Sequence, residues 1–187
     1  MHEIADQNIG KIYNSIFLGG YRVLAGDQPA LKHMLAHLPK VDIYPFKLMG
    51  HGAFHTPMLS SNATRGMQAI EESLFSMPKT SLIDGRGKIW RPMSTDLNQL
   101  YHYTLDHQVV EPYDFSKAIE VALKEFAPDN LILLGPGSTL GGSLGQVLID
   151  QEWNEIRNKV DFINQQKADP FLLAMGLKDQ RKLVLNS

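Results

Sequence analysis

The sequence predicts a mixed α/β fold, and three features carry that expectation. Leu31, Met34, Leu35 and Leu38 recur at i, i+3, i+4 and i+7, which is one apolar face of a helix. Asn130-Leu131-Ile132-Leu133-Leu134 holds a continuous apolar run of the kind found in a strand buried on both faces. Short β-forming segments alternate with helical stretches along the chain, as in α/β proteins. The 187 residues, at ~150 per domain, make one domain or one with a small appendage.

Taken in order, residues 1–14 carry no clear pattern, and Tyr21-Arg22-Val23-Leu24-Ala25 alternates as a short strand closed by Gly26. Asp27 is placed to cap the helix that follows, Pro29 suits its first turn, and Pro39 ends it. Val41 to Phe46 reads as a second strand, with Pro45 marking an edge or a bend. Gly50-His51-Gly52-Ala53-Phe54-His55-Thr56-Pro57 is a loop entering a helix, with Thr56 as cap and Pro57 at the first helical position. Met58, Leu59, Met67, Ile70 and Leu74 give that helix a rough apolar stripe. Leu82-Ile83 and Lys88-Ile89-Trp90 flank Asp84-Gly85-Arg86-Gly87 as a hairpin. Helices are expected over 95–107, capped by Ser94 or Thr95, and over 115–126, capped by Asp114. After the apolar run come the turn Gly135-Pro136-Gly137 and helices over 139–150 and 152–166, with no second buried strand evident there. Asp169-Pro170 is a break, beyond which Phe171-Leu172-Leu173 and Met175 are placed to pack back on the core. The first ~48 residues read as a separate small αβ unit.

Composition narrows the function classes. Lys plus Arg number 18 and Asp plus Glu 20, a net charge of −2, so neither a basic nucleic-acid footprint nor a polybasic membrane patch is the main theme. Hydrophobic residues at 43 % and charged residues at 20 % are globular values, which excludes disorder. The absence of cysteine removes disulfides, thiolate metal sites and a cysteine nucleophile, and fits a reducing cytosol. No apolar run nears the ~20 residues that span a bilayer, and Met1 to Gly10 has no secretion-signal pattern. The expected place is the cytoplasm.

Three constellations are candidates for chemistry. Gly135-Pro136-Gly137-Ser138-Thr139-Leu140-Gly141 is a glycine-rich turn whose backbone N–H groups suit a phosphate, although a dinucleotide site also needs a further parallel strand bearing an acidic ribose ligand. Tight strand-to-helix turns need glycine for geometry alone. Gly141-Gly142-Ser143-Leu144-Gly145 fits G-x-S-x-G literally, but Ser143 lies past the turn on the expected helix, not at the sharp strand-to-helix turn that a nucleophile elbow requires. His55, on a glycine-flanked loop with a helix start behind it, is placed as a general base for a hydroxyl; His51 has the same claim by composition, and spacing alone does not separate them. No metal-ligand spacing stands out.

In these residues the chain resembles the malonyl-CoA:acyl carrier protein transacylases and the related acyltransferase domains of polyketide and fatty acid synthases. Gly52-Ala53-Phe54-His55-Thr56-Pro57-Met58 looks like the family's catalytic-histidine motif. Leu105-Asp106-His107-Gln108-Val109-Val110-Glu111-Pro112 is similar to its Gln-Val-x-x-Pro segment, and Leu133-Leu134-Gly135-Pro136-Gly137 with Leu140-Gly141 to its closing strand-turn-helix. Tyr21 to Asp27 is a weaker match to a strand of its small subdomain. The blocks occur in family order over about residues 12–149. The resemblance implies an α/β-hydrolase-like core with an inserted ferredoxin-like subdomain. Residues 1–48 would be part of that subdomain, 49–166 the C-terminal part of the core, and 167–187 a tail.

The resemblance also implies malonyl transfer from malonyl-CoA to acyl carrier protein in fatty acid or polyketide biosynthesis, with a CoA thioester as substrate and no cofactor. His55 would be the catalytic base, and the backbone carbonyl of Gln108 would orient its ring. The family's Gly-His-Ser-x-Gly nucleophile motif, its Gly-Gln-Gly-Ser-Gln oxyanion segment and its carboxylate-binding arginine are absent from these residues, and Arg22, Arg65 and Arg86 read as solvated surface charges instead. The expectation is a C-terminal portion of a longer or split enzyme. It would be inactive alone, with unpaired strand edges facing the missing N-terminal half. The alternatives are a non-catalytic carrier-protein or regulatory binding module, and a nucleotide-binding module built on the Gly135 to Gly141 turn.

Overall fold

The computed structural model describes residues 9–135 and 137–185. The first eight residues of the expected 1–48 unit, Pro136 of the glycine-rich turn and the last two residues of the tail lie outside the described residues. The fold is mixed α/β with small sheets. Contacts divide the chain into two compact units. The first runs to Phe17 and includes Arg22–Gly85 and Ile89–Tyr113; the second comprises Leu18–Tyr21, Arg86–Lys88 and the chain from Asp114 on. The first unit therefore continues through residue 48, where the sequence suggested a boundary.

Strands β1 (Ile12–Leu18) and β2 (Tyr21–Gly26), which belong to the first unit apart from Leu18 and Tyr21, are joined by the glycine pair Gly19-Gly20. Gly19 takes φ +59°, a conformation glycine adopts without a Cβ penalty. Helix α1 (Gln28–His37) begins at Asp27, whose carboxylate accepts from the N–H of Ala30 at 3.0 Å and from that of Lys11 at 2.8 Å, so one side chain caps a helix and ties it to the sheet. The segment Val41 to Phe46 corrects the strand reading: it is a tight turn with one bridge, Val41 to Tyr44. Asp42 sits at φ +51°, a left-handed conformation that aspartate tolerates, and it turns the chain back before a strand can extend.

A single 3-10 turn (Pro57–Leu59) leads into α2 (Ser60–Ala69), which buries only Ala63. The apolar stripe expected there is not a core face, since Met58, Ile70 and Leu74 are exposed and the helix ends before the last two. The hairpin of β3 (Leu82–Ile83) and β4 (Ile89–Trp90) has the expected antiparallel register, Leu82 opposite Trp90. Helix α3 (Leu97–His102) is capped by Asp96, whose Oδ1 accepts from the N–H of Gln99, not by Ser94 or Thr95; the Thr95 hydroxyl donates to the Arg91 carbonyl instead. The chain then passes through a π-helical turn (Tyr103–His107) into the short α4 (Gln108–Val110) and strand β5 (Tyr113–Asp114). The sheet order is β2-β1-β5. Trp90, Leu100 and Tyr103 form a small core with Phe75 against it.

In the second unit, α5 (Phe115–Phe126) starts at the expected cap Asp114, and β6 (Leu131–Leu133) leads to α6 (Gly141–Asp150). The expected helix over 152–166 is broken. A turn at Trp153–Glu155 precedes α7 (Lys159–Ala168), because Asn158 accepts from the N–H groups of Val160 and Asp161 and restarts the helix there. Strand β7 (Leu172–Ala174) pairs parallel with β6, Leu131 opposite Leu172, and α8 (Lys178–Leu185) closes the described chain. Two sequence expectations are corrected here. A second buried strand does follow the apolar run, at β7, and β6 is not buried on both faces: Ile132 is 47 % exposed, so the face it points from is left uncovered among the described residues. Leu123, Val147, Leu148 and Phe171 form the core of this unit.

Candidate active site

The loop bearing His55 is fixed from several sides. The Ser15 hydroxyl of β1 donates to the carbonyl of Phe54 at 2.8 Å, and the fully buried Thr56 hydroxyl donates to the carbonyl of Ala53 at 2.6 Å. Thr56 thus braces the loop behind the histidine instead of capping the helix ahead of it. The backbone N–H of His55 donates to the carbonyl of Val109 at 2.8 Å. These bonds hold His55 at φ +60°, a left-handed conformation that costs a non-glycine residue on the order of 1–3 kcal/mol and persists where the surroundings over-determine it.

The ring is fixed as tightly as the backbone. Nδ1 lies 2.5 Å from the carbonyl oxygen of Gln108. A carbonyl oxygen only accepts, so Nδ1 carries the proton, and it is Nε2 that holds the lone pair whenever the ring is neutral. The acceptors have a simple origin. The last carbonyls of a helix have no intrahelical partner, and Gln108 and Val109 occupy that position in α4, just before Pro112. His55 takes up both, one with its ring and one with its backbone.

The wall beside the ring is aromatic. The Tyr113 ring stands 5.4 Å from that of His55, tilted by 46°. Tyr113 is able to lie there because Gly85 has no side chain: a Cβ at Gly85 would collide with the Tyr113 ring. Burial, and then the negative charge of Asp84, push the Tyr113 phenol above its ordinary value of 10.0. Asp84 itself is buried and accepts from the indole N–H of Trp90 at 3.2 Å, while the Gly85 N–H donates to the Tyr103 hydroxyl at 2.8 Å.

The structure brings His55 and Gln108 together, as the resemblance implied, and leaves His51 exposed with no hydrogen bond to that machinery. Ser143 is buried on α6, not at a strand-to-helix turn. The glycine-rich turn is now followed by a parallel strand, but β7 ends in Ala174-Met175-Gly176, which offers no carboxylate for a ribose. Gly176 instead backs onto the turn, where a Cβ would strike the Gly137 carbonyl. The sequence does not reveal the roles of Ser15, Val109, Tyr113 and Gly85, because each depends on a partner 28 or more residues away. Among the described residues no group of three His, Asp or Glu side chains stands together as a metal site, and no helix is long and apolar enough to cross a membrane.

Chemically, the arrangement presents one imidazole in a fixed orientation, its free nitrogen on the side away from the Gln108 carbonyl, ready to accept a proton from a hydroxyl or thiol brought to it. Compared with family models, curated proteins and solved structures, the chain matches none of them.

Proposed function

We propose that the chain is the histidine-bearing part of a serine-and-histidine acyltransferase. More particularly, it is read as the C-terminal portion of an acyl-carrier-protein S-malonyltransferase with an α/β-hydrolase-like core. The observation that carries this reading is the hydrogen bond from Nδ1 of His55 to the Gln108 carbonyl, in which a backbone oxygen does the orienting work that an aspartate does in a Ser-His-Asp triad. Among the described residues β6 pairs on one edge only, and Ile132 and Leu134 are exposed, which favours a further strand from another stretch of polypeptide.

In the proposed reaction Nε2 of His55 takes the proton from a serine hydroxyl supplied by that other stretch. The serine oxygen forms a bond to the malonyl carbonyl carbon of malonyl-CoA, the carbon–sulfur bond breaks, and the departing thiolate takes the proton back from the imidazolium. In the second half the pantetheine thiol of the carrier protein gives its proton to Nε2. Sulfur bonds to the acyl carbon, the ester carbon–oxygen bond breaks, and the serine oxygen recovers the proton.

The test combines the purified chain with the N-terminal half of a malonyltransferase carrying Gly-His-Ser-x-Gly and follows malonyl transfer to carrier protein by intact mass. Transfer by the mixture and by neither part alone is expected. Malonyl loading of the chain by itself, abolished by Ser143→Ala, would falsify the assignment and move the nucleophile to Ser143.

A further inference from the structure

Away from His55, the outer face of α1 lines an open groove of about 570 Å³ with Gln28, Pro29, Leu31, Lys32, Leu35 and Lys47. None of these residues holds the His55 loop. Leu31 and Leu35 lie one helical turn apart and supply an apolar floor. Lys47 Nζ donates to Gln28 Oε1 at 2.8 Å, which anchors one wall to the other with a neutral acceptor and leaves the ammonium charge uncompensated. Neither Lys32 nor Lys47 has a carboxylate partner among the described residues.

The rim continues this character. Phe46 and Leu48 flank Lys47 in the chain, so they lie within a few ångströms of the groove, and both are exposed; Val41, Ile43 and Met49 in the same stretch are more than 60 % exposed. Between Gln28 and Met49 there are three lysines, Lys32, Lys40 and Lys47, and one acid, Asp42, in a protein whose overall charge is negative. An apolar floor with an exposed apolar rim and unneutralised cations is a surface that monomers rarely leave bare.

We propose that this groove docks an amphipathic helix of a partner protein, with leucine-type anchors on one face and acidic side chains along its flanks. The groove is open and its lining is mostly apolar. Its concave floor between α1 and Lys47 suits a rod, whose apolar face lies along the groove at i, i+3, i+4 and i+7 while its carboxylates meet Lys32 and Lys47. The proposal stands on this surface alone and does not depend on acyl transfer.

Fluorescence anisotropy on the full chain tests it. One probe is a labelled helical peptide of about 15 residues with a leucine stripe flanked by glutamates; the control carries the same stripe flanked by lysines. Vesicles of phosphatidylcholine and phosphatidylserine form a separate arm. The expected result is saturable binding of the glutamate peptide that weakens as salt rises and falls about tenfold or more in Lys32→Glu/Lys47→Glu. Leu35→Ala should weaken it as well, and circular dichroism confirms that the variants stay folded. Equal binding of both peptides, binding unaffected by the lysine exchanges, or binding of the vesicles but of neither peptide would each overturn the proposal, the last in favour of a membrane surface.

Discussion

Nδ1 of His55 points at the carbonyl oxygen of Gln108 from 2.5 Å, and the backbone N–H of the same histidine bonds the carbonyl of the next residue, Val109. One residue therefore uses two of the carbonyls that the end of a helix leaves open. The consequence for function is a ring that cannot choose its tautomer freely.

Because the acceptor belongs to the backbone, the Gln108 side chain is dispensable for it. Gln108→Ala should leave the proton on Nδ1 of His55, read from the ring nitrogen shifts by NMR, and should change stability by no more than about 0.5–1 kcal/mol. A shift of the proton to Nε2 in this variant would mean that the amide side chain, not the carbonyl, sets the ring.

Gly85 holds the space that Tyr113 occupies beside the imidazole. Gly85→Ala drives a methyl group into that ring, so a destabilisation of about 1–3 kcal/mol is expected. The displaced ring should also alter the His55 ring-proton shifts, which sense the aromatic wall 5.4 Å away. Unchanged melting and unchanged shifts would show that the wall yields at no cost.

Acid acts on the cap of α1. The Asp27 carboxylate is held below its ordinary value of 3.8, first by the N–H of Lys11 and then by that of Ala30. A lowered carboxylate contributes stability that is present above its unfolded value and is lost as pH falls through the folded one. The melting temperature of the wild type should therefore drop more steeply in this acid range than that of Asp27→Asn, which keeps an acceptor but no titrating group. Parallel curves for the two proteins would remove Asp27 from the account.

The outer edge of β7 is closed by side chains. Gln166 donates to the carbonyl of Leu172 at 2.8 Å and accepts from its N–H at 3.0 Å, imitating a neighbouring strand, and Gln180 accepts from the N–H of Ala174 at 2.7 Å. Gln166→Ala leaves two buried backbone groups unpaired, at a cost of about 1–3 kcal/mol. Hydrogen exchange should show Leu172 losing protection before the strand's own bonds to β6 open; retained protection would mean that water or another group replaces the glutamine.

Some local signals are legible in single side chains, although the caps expected at Ser94 or Thr95 and at Thr56 are not made. Asp27 and Asp114 cap their helices as read, and Asp84-Gly85-Arg86-Gly87 sits in its hairpin. Val41 to Phe46 misled because its β-forming residues say nothing about a partner strand, and the turn at Asp42 denies them one. Strand β7 was obscured because three residues are too short to show a period, and its pairing with β6 spans some 40 positions. At the site, His55 stands out through its loop, but Ser15 and Tyr113 act through a bond and a ring contact that sequence spacing does not encode.

The most direct measurement is the rate of malonyl loading onto the supplied serine when the N-terminal half is paired with wild-type chain and with His55→Ala. Loss of a positioned general base predicts a fall of about 10²–10⁴-fold with both proteins folded and associated. Equal loading rates from the two pairs would contradict a base at His55 and, with it, the acyl-transfer reading of the chain.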